Sequence, residues 1–194
     1  DVYVVPTPAA LKFVGDPTWE ALSGHPVVAE VWDNVSQVQH VKLGQEADLV
    51  VVAPATARVI GSYAAGISSD FLTATLIATR APVLVCPAMH TEMWEHAAVA
   101  DNIATLRRRG VSILEPSVGR LAGGDVGAGR LADPERIVAE VERLLSPGDL
   151  SGLHVVISTG GTREPIDAVR VIANRSSGKQ GIALAREAVA RGAK

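Results

Sequence analysis

Apolar runs alternate with breakers along the chain in a strand–helix rhythm, which predicts an α/β domain. Residues 1–6 (Asp1-Val2-Tyr3-Val4-Val5-Pro6) read as a strand. Residues 7–14 follow as a helix, with Thr7 as cap and Pro8 at its first position, closed by Gly15. Residues 16–22 repeat that design and stop at Gly24, residues 27–32 read as a short strand, and 41–46 as a helical turn or two. Residues 48–53 are continuously apolar after Asp48, the signature of a central parallel strand. Two helices, 55–65 and 70–80, lead to a second buried strand at 81–86, a helix at 95–109 and a strand at 111–114. Asp133-Pro134-Glu135 caps a helix that reaches Leu145.

Two stretches break the rhythm. Residues 119–129 hold five glycines in eleven positions, too little side chain to build a core, and read as a mobile flap or a ligand-cradling loop. Residues 146–152 (Ser-Pro-Gly-Asp-Leu-Ser-Gly) form the best domain boundary. This divides the chain into a first domain at 1–146, a linker at 147–152, and the start of a second domain at 153–194. Beyond it, residues 154–158 read as a strand that runs into Thr159-Gly160-Gly161-Thr162, the opening of a second nucleotide-type fold. Ser176-Ser177-Gly178-Lys179-Gln180-Gly181 precedes an Ala-rich helix but lacks the spacing of a P-loop. The first residues open on a strand without a start methionine and the last run off a helix, so a fragment of a longer protein is expected.

Composition narrows the class. The 194 residues carry a net charge of −3, which gives no case for nucleic acid or an acidic membrane surface. Arg107-Arg108-Arg109, the densest basic run, sits at a predicted helix end, where it compensates the helix dipole. The single cysteine, Cys86, leaves no disulfide within the chain and no zinc cluster, which suits a reducing compartment. No apolar run approaches the length of a membrane span, and the cytoplasm is the expected location.

Candidate chemistry gathers at strand ends, where open α/β sheets bind ligands. Pro87-Ala88-Met89-His90-Thr91-Glu92-Met93-Trp94 follows the strand at 81–86, and Pro54-Ala55-Thr56-Ala57 follows the strand at 48–53 and opens a helix. Free N–H groups at that helix start suit a phosphate or a flavin carbonyl, although an N-cap alone explains the same residues. Asp70 to Thr75 opens the next helix with hydroxyls and has the same two readings. His25, His96 and His154 read as structural or solvated. His40, in a polar stretch before residue 48, and His90, at a strand end, are the candidates for acid–base work. The histidine spacing makes no metal site, and no Gly-x-Ser-x-Gly elbow supports a serine hydrolase.

These segments together resemble the homo-oligomeric flavin-containing cysteine decarboxylases. The resemblance is to the branch in which phosphopantothenoylcysteine decarboxylase is fused to phosphopantothenate–cysteine ligase. Residues 38–43 (Val-Gln-His-Val-Lys-Leu) resemble the family's histidine segment, and Ala53 to Ala57 the start of its Pro-Ala-Ser-Ala-Asn-Thr motif. Residues 87–94 resemble its Pro-x-Met-Asn-x-x-Met-Trp motif, and 119–130 its substrate-recognition flap. Residues 159–167 and 174–181 resemble the ligase's Gly-rich and Asn-x-Ser-Ser-Gly-Lys segments.

The resemblance implies a Rossmann-like, flavodoxin-type parallel sheet with helices on both faces, plus the start of a second Rossmann-like domain. It implies FMN as cofactor, 4'-phosphopantothenoylcysteine as substrate, CTP and Mg2+ for the ligase half, and self-association as trimers or dodecamers. It lends His40 a proton-transfer role. It lends substrate contacts to His90, Met93, Ala122, Gly123, Arg130, Arg170 and Asn174. Flavin contacts fall on Thr7, Phe13, Pro54, Ala55, Thr56, Ala57, Thr73 and Met89, and CTP contacts on Gly160, Gly161 and Thr162. The family's first strand and Gly-rich turn would lie before Asp1. The chain departs from the family pattern at His90, where Asn is usual, and at Arg58 and Val59, where Asn and Thr are usual. Gly123 stands where a flap cysteine, assigned to the final reduction step, is common. Two other readings of the same fold are a decarboxylase of peptide C-terminal cysteine and a regulatory binding module.

Overall fold

A computed structural model describes residues 1–27, 38–121, 123–146 and 148–194. It divides into two compact units, Asp1–Val141 and Glu142–Lys194. The first unit is built on a parallel sheet in the order β1-β2-β3, with β1 at Val50–Ala55, β2 at Val83–Pro87 and β3 at Ser112–Ile113. Val50 pairs with Val83 and Val52 with Val85, while Leu84 pairs with Ser112. Parallel neighbours need crossovers. Helices α3 (Ala57–Ala65) and α4 (Phe71–Ala78) join β1 to β2, and α5 (Thr91–Trp94) and α6 (Ala97–Arg108) join β2 to β3.

Among the described residues, β2 lies between β1 and β3. All five residues of β2 are buried. Val83 and Val85 join a core cluster with Val59, Ile60 and Ala64 of α3 and Val99, Ile103 and Leu106 of α6. Leu84 and Cys86 point the other way, as a strand's period of two requires, and are equally buried. Each such aliphatic side chain contributes roughly 1.5–3 kcal/mol when fully buried.

Several expectations are corrected. Residues 1–6 join no ladder, and Val2 and Tyr3 are exposed; Tyr3 instead stacks on His25 at 4.2 Å. The helix expected at 7–14 is a single 3-10 turn, Ala10–Lys12, and α1 (Asp16–Ser23) follows it. The expected strand at 27–32 lies outside the described residues beyond Val27. The helix expected at 95–109 begins at Ala97, because His96 takes the N-cap: its Nδ1 accepts a hydrogen bond from the Ala98 N–H at 3.2 Å. Arg109 does more than compensate its own helix. Its Nη1 donates to the Ala64 carbonyl at 2.6 Å, at the end of α3. Within the stretch read as a flap or ligand-cradling loop, β4 (Ser117–Arg120) and β5 (Val126–Arg130) pair as an antiparallel hairpin. Helix α7 covers Pro134–Leu145.

In the second unit, residues 154–158 form no ladder. Their link is one hydrogen bond from Val155 N–H to the Lys194 carbonyl, and Val156 is exposed. A hairpin of β6 (Arg163–Pro165) and β7 (Val171–Ala173) follows, then α8 (Lys179–Ala190), which ends before Gly192 rather than running on to Lys194. An ion pair joins Arg191 to Asp149.

Helix α2 (Gln39–Glu46) packs on α4 through Gly44. A Cβ at Gly44 would lie 3.1 Å from the Thr75 carbonyl oxygen and 3.1 Å from the Thr79 nitrogen, both backbone atoms that cannot swing aside. Gly61, inside α3, would meet only the end of the Asn102 side chain at 3.5 Å. Helix propensity favours Ala over Gly by about 1 kcal/mol at both sites, whereas overpacking costs about 1–3 kcal/mol. Gly61→Ala should therefore hold or raise stability by up to about 1 kcal/mol, and Gly44→Ala should lower it, measured by urea unfolding.

Candidate functional site

The carboxyl ends of β1 and β2 lie side by side. The Ala88 N–H donates to the Ala55 carbonyl at 3.0 Å, and the register between the strands shifts past Val52, next to the cis Ala53–Pro54 peptide. Ala55 is buried, while Pro54 and Thr56 are exposed. Thr56 caps α3, its hydroxyl accepting from the Val59 N–H at 3.5 Å. The first N–H groups of α3, on Ala57 and Arg58, have no partner within the helix, which makes this end a site for an anion or a carbonyl.

The start of α3 is tied to the start of α4. Asp70 caps α4: its Oδ1 accepts from the Thr73 N–H at 2.8 Å and from the Thr73 hydroxyl at 2.7 Å. Arg58 Nη2 meets Asp70 Oδ2 at 3.0 Å. Burial opposes ionisation of Asp70, but the bonds from Thr73 and Arg58 outweigh it and hold the carboxyl below its ordinary value. Thr73 is fully buried and its hydroxyl is used within this cap. Any part it has in a ligand site is to hold Asp70.

His40 stands in the first turn of α2, which begins two residues before the helical turns expected at 41–46. Its ring meets Phe71 edge-on, with centroids 6.0 Å apart and planes at 85°. Among the described residues, its Nδ1 is buried without a hydrogen-bond partner, as is Oε1 of the adjacent Gln39. Such unpaired polar atoms carry a desolvation cost that a bound polar group would relieve. Phe71 follows Asp70, so one contact joins the histidine to the Arg58–Asp70 link.

The loop after β2 is held by the hairpin. The Met89 N–H donates to the Gly129 carbonyl at 2.9 Å, and the Thr91 hydroxyl donates to the Ala128 carbonyl at 2.8 Å. The glycines of β5 make this approach possible. A Cβ at Gly129, where φ is +142°, would overlap the Met89 carbonyl oxygen, and one at Gly127 would overlap the Thr91 hydroxyl. Met89 and Trp94 pack against the core cluster, and Met93 is exposed. His90 caps α5 through its backbone and makes no side-chain cap bond. Its ring faces Gly123 in the turn of the hairpin. Arg130 pairs with Asp133 at 2.7 Å. Ala122 lies outside the described residues. Thr7 accepts from the Ala10 N–H at 3.2 Å, and Phe13 is almost wholly exposed.

In the second unit, Asn174 Nδ2 donates to the Thr162 hydroxyl at 3.2 Å, and Asn174 Oδ1 lies 2.9 Å from where a Cβ on Gly161 would stand. Asn174 thereby spans the Gly160-Gly161-Thr162 turn, where Gly160 has φ +103°. Arg170 is held by Asp167 at 2.6 Å, which keeps that carboxyl below its ordinary value. The Ser176–Gly181 stretch wraps Thr159, whose hydroxyl donates to the Gly178 carbonyl at 2.8 Å.

The sequence profile of the Flavoprotein family matches residues 1–146. The chain belongs to the Flavoprotein family. Residues 150–194 match the C-terminal domain of DNA/pantothenate metabolism flavoproteins. The coenzyme A biosynthesis bifunctional protein CoaBC of Mycobacterium tuberculosis is 58% identical over 197 aligned residues, covering 99% of this chain and 47% of that protein. The chain spans about half the length of the curated relatives it matches. Among solved structures, the FMN-dependent cysteine decarboxylase SpaF is 33% identical with a TM-score of 0.60, covering 71% of this chain and 75% of that one. A cysteine-to-serine mutant of PPC decarboxylase, complexed with pantothenoylaminoethenethiol, is 29% identical with a TM-score of 0.65, covering 71% and 79%. The flavodoxin-like α/β architecture expected from the sequence is the one this flavoprotein chain has. Among the described residues, no helix is long and apolar enough to cross a membrane.

Sequence reasoning missed Asp70 as the partner of Arg58, Asp133 as the partner of Arg130, and the glycine clamp of β5 on residues 89–91. Only the last left a signal, the spacing of Gly127 and Gly129 opposite a strand end.

Two measurements follow. Cys86 is fully buried, and burial first, then Glu140, pushes its thiol up to about 11. It should resist thiol reagents at pH 7–8 in the native protein and react at once in urea. For Asp70, a folded-state value below the unfolded one contributes stability above about pH 4. That contribution fades as pH falls through the folded value. Asp70→Ala should cost about 1–2 kcal/mol at pH 7, and the difference from the parent should shrink in unfolding curves taken toward pH 3.

Proposed function

We propose that this chain carries the FMN-dependent decarboxylase of a bifunctional coenzyme A biosynthesis protein, acting on the cysteine moiety of 4'-phosphopantothenoylcysteine. The observation that carries the reading is the clamp of the β4–β5 hairpin on residues 89–91. It lies at the carboxyl ends of parallel strands, the ligand end of such sheets, and supports a site there. The similarity to CoaBC, to PPC decarboxylase and to SpaF supports it.

The residues present fit FMN. The open N-terminus of α3 offers backbone donors, and Pro54, Thr56 and Phe13 are exposed. Thr7, Ala55, Ala57 and Met89 complete the proposed contacts, with Thr73 acting through the Asp70 cap. When bound, FMN accepts and returns a hydride, which makes the carboxylate labile. The chain's own residues orient the substrate and move protons. His40, with Nδ1 buried and unpartnered, is the proposed proton-transfer residue. His90, Met93, Gly123 and Arg130 are proposed to line the substrate side, Arg130 with its guanidinium steadied by Asp133.

The residues from 153 onward are proposed to begin the ligase domain, with 147–152 as linker. Gly160, Gly161 and Thr162 would meet CTP, supplied with Mg2+, and Arg170 and Asn174 the acyl intermediate. Asn174, bonded to Thr162, links those two groups. Assembly into trimers or dodecamers and a cytoplasmic location belong to the same proposal. A second reading, decarboxylation of a peptide C-terminal cysteine, draws on the similarity to SpaF. The match of residues 150–194 to a pantothenate-metabolism domain favours the first.

The deciding assay gives the full-length, flavin-loaded protein both 4'-phosphopantothenoylcysteine and a peptide ending in cysteine, and measures CO2. Release from the first alone is expected; release from the peptide alone would reverse the reading. His40→Asn should lower the rate by about 10²–10⁴-fold while the protein stays yellow.

A further inference from the structure

His90 and Gly123 are neighbours in space. A Cβ placed on Gly123 would lie 3.0 Å from His90 Cε1, 3.9 Å from His90 Nε2 and 3.5 Å from Asp125 Oδ2. The imidazole therefore crowds the place of a side chain at position 123 and would have to give by a few tenths of an ångström to admit one. Its backbone is pinned on both sides, by the Met89 N–H on Gly129 and by the Thr91 hydroxyl on Ala128. The ring caps no helix, so its nitrogens are not spent on α5. A half-buried imidazole against the hairpin turn, on a backbone held through both neighbouring residues and on the wall proposed to face substrate, is placed to act as an acid.

We propose that His90 is the proton donor on the hairpin side of the pocket, and that the bare Gly123 is the steric condition for its presence. The proposal rests on the decarboxylase reading above and deepens it. Oxidation of the substrate removes a hydride from the sulfur-bearing carbon and releases the thiol proton, and loss of CO2 then leaves an enethiolate. Saturation takes one proton at the carbon that lost CO2 and one hydride at the sulfur-bearing carbon. The flavin proposed above would accept that hydride in the oxidation and supply it again here, so no outside reductant enters. The proton comes from the His90 imidazolium, which is recharged by the proton the thiol released. The product thiolate takes its last proton from water.

The chemical test uses the full-length, flavin-loaded protein and measures saturated thiol against enethiol per CO2 released, whatever the total rate. His90→Asn should lower that ratio at least tenfold, and Gly123→Ala should lower it in the same direction by displacing the ring. An unchanged ratio in His90→Asn, or a fall in Asp125→Asn but not in His90→Asn, overturns the proposal. The steric half is read without catalysis, from Tm in the flavin-free protein. Gly123→Ala should lower Tm when His90 is present and lower it less in a His90→Ala background. Tm shifts that simply add overturn it. If the parent protein releases no CO2 from this substrate, the decarboxylase reading fails first, and the Tm cycle still reports whether the two residues compete for space.

Discussion

The burial of β2 on both faces is the constraint from which the rest of the structure follows. A strand whose Val83, Leu84, Val85 and Cys86 all leave water can sit only between covered neighbours. That forces parallel partners, long crossovers, and helices packed against the sheet. The same constraint delivers the chain at Pro87 to the carboxyl end of the sheet, beside the end of β1. The polar groups of the loops there must find partners among themselves or in a ligand. Ala55 with Ala88, Met89 with Gly129 and Thr91 with Ala128 are the pairings found. On α2, His40 Nδ1 and Gln39 Oε1 are buried without a partner among the described residues.

The glycines of residues 119–129 illustrate how one composition supports two physical accounts. Read alone, they suggest freedom. In the fold, Gly127 and Gly129 are present because backbone and hydroxyl atoms of residues 89–91 occupy the space of their missing side chains. Close approach, not looseness, is what they supply. The distinction depends on a contact between segments about forty residues apart, and no local pattern carries it.

What was legible followed the same division. Runs such as 81–86, and caps such as Thr56 and Asp70, are decided by neighbours in sequence, and the structure has them within a residue or two. Residues 1–6 and 154–158 have strand-like composition, but a strand is made by its partner, and neither segment has a ladder among the described residues. The helix expected at 95–109 begins two residues later because the His96 ring nitrogen serves as acceptor at its N-cap. Of the candidate site, the strand-end loops were visible because β/α alternation puts ligands there. Which side chains face which was not visible.

Departures from the family pattern are where pairwise physics becomes informative. Arg58 brings a charge to the first turn of α3, a poor place for a cation because the helix dipole is positive there. The cost is offset by Asp70, whose carboxylate lies 3.0 Å away and at the same time caps α4. The residue that looked out of place thereby joins two helix starts at the rim of the proposed flavin site. His90 and Gly123 obey the same logic with volume in place of charge: an imidazole is larger than the family's usual amide, and Gly123, beside its ring in the hairpin turn, carries no side chain. In each case the departure is matched by its contact, so replacing one member with the family's usual residue tests a half-pair. Only the joint replacement reports what the family arrangement would do in this chain.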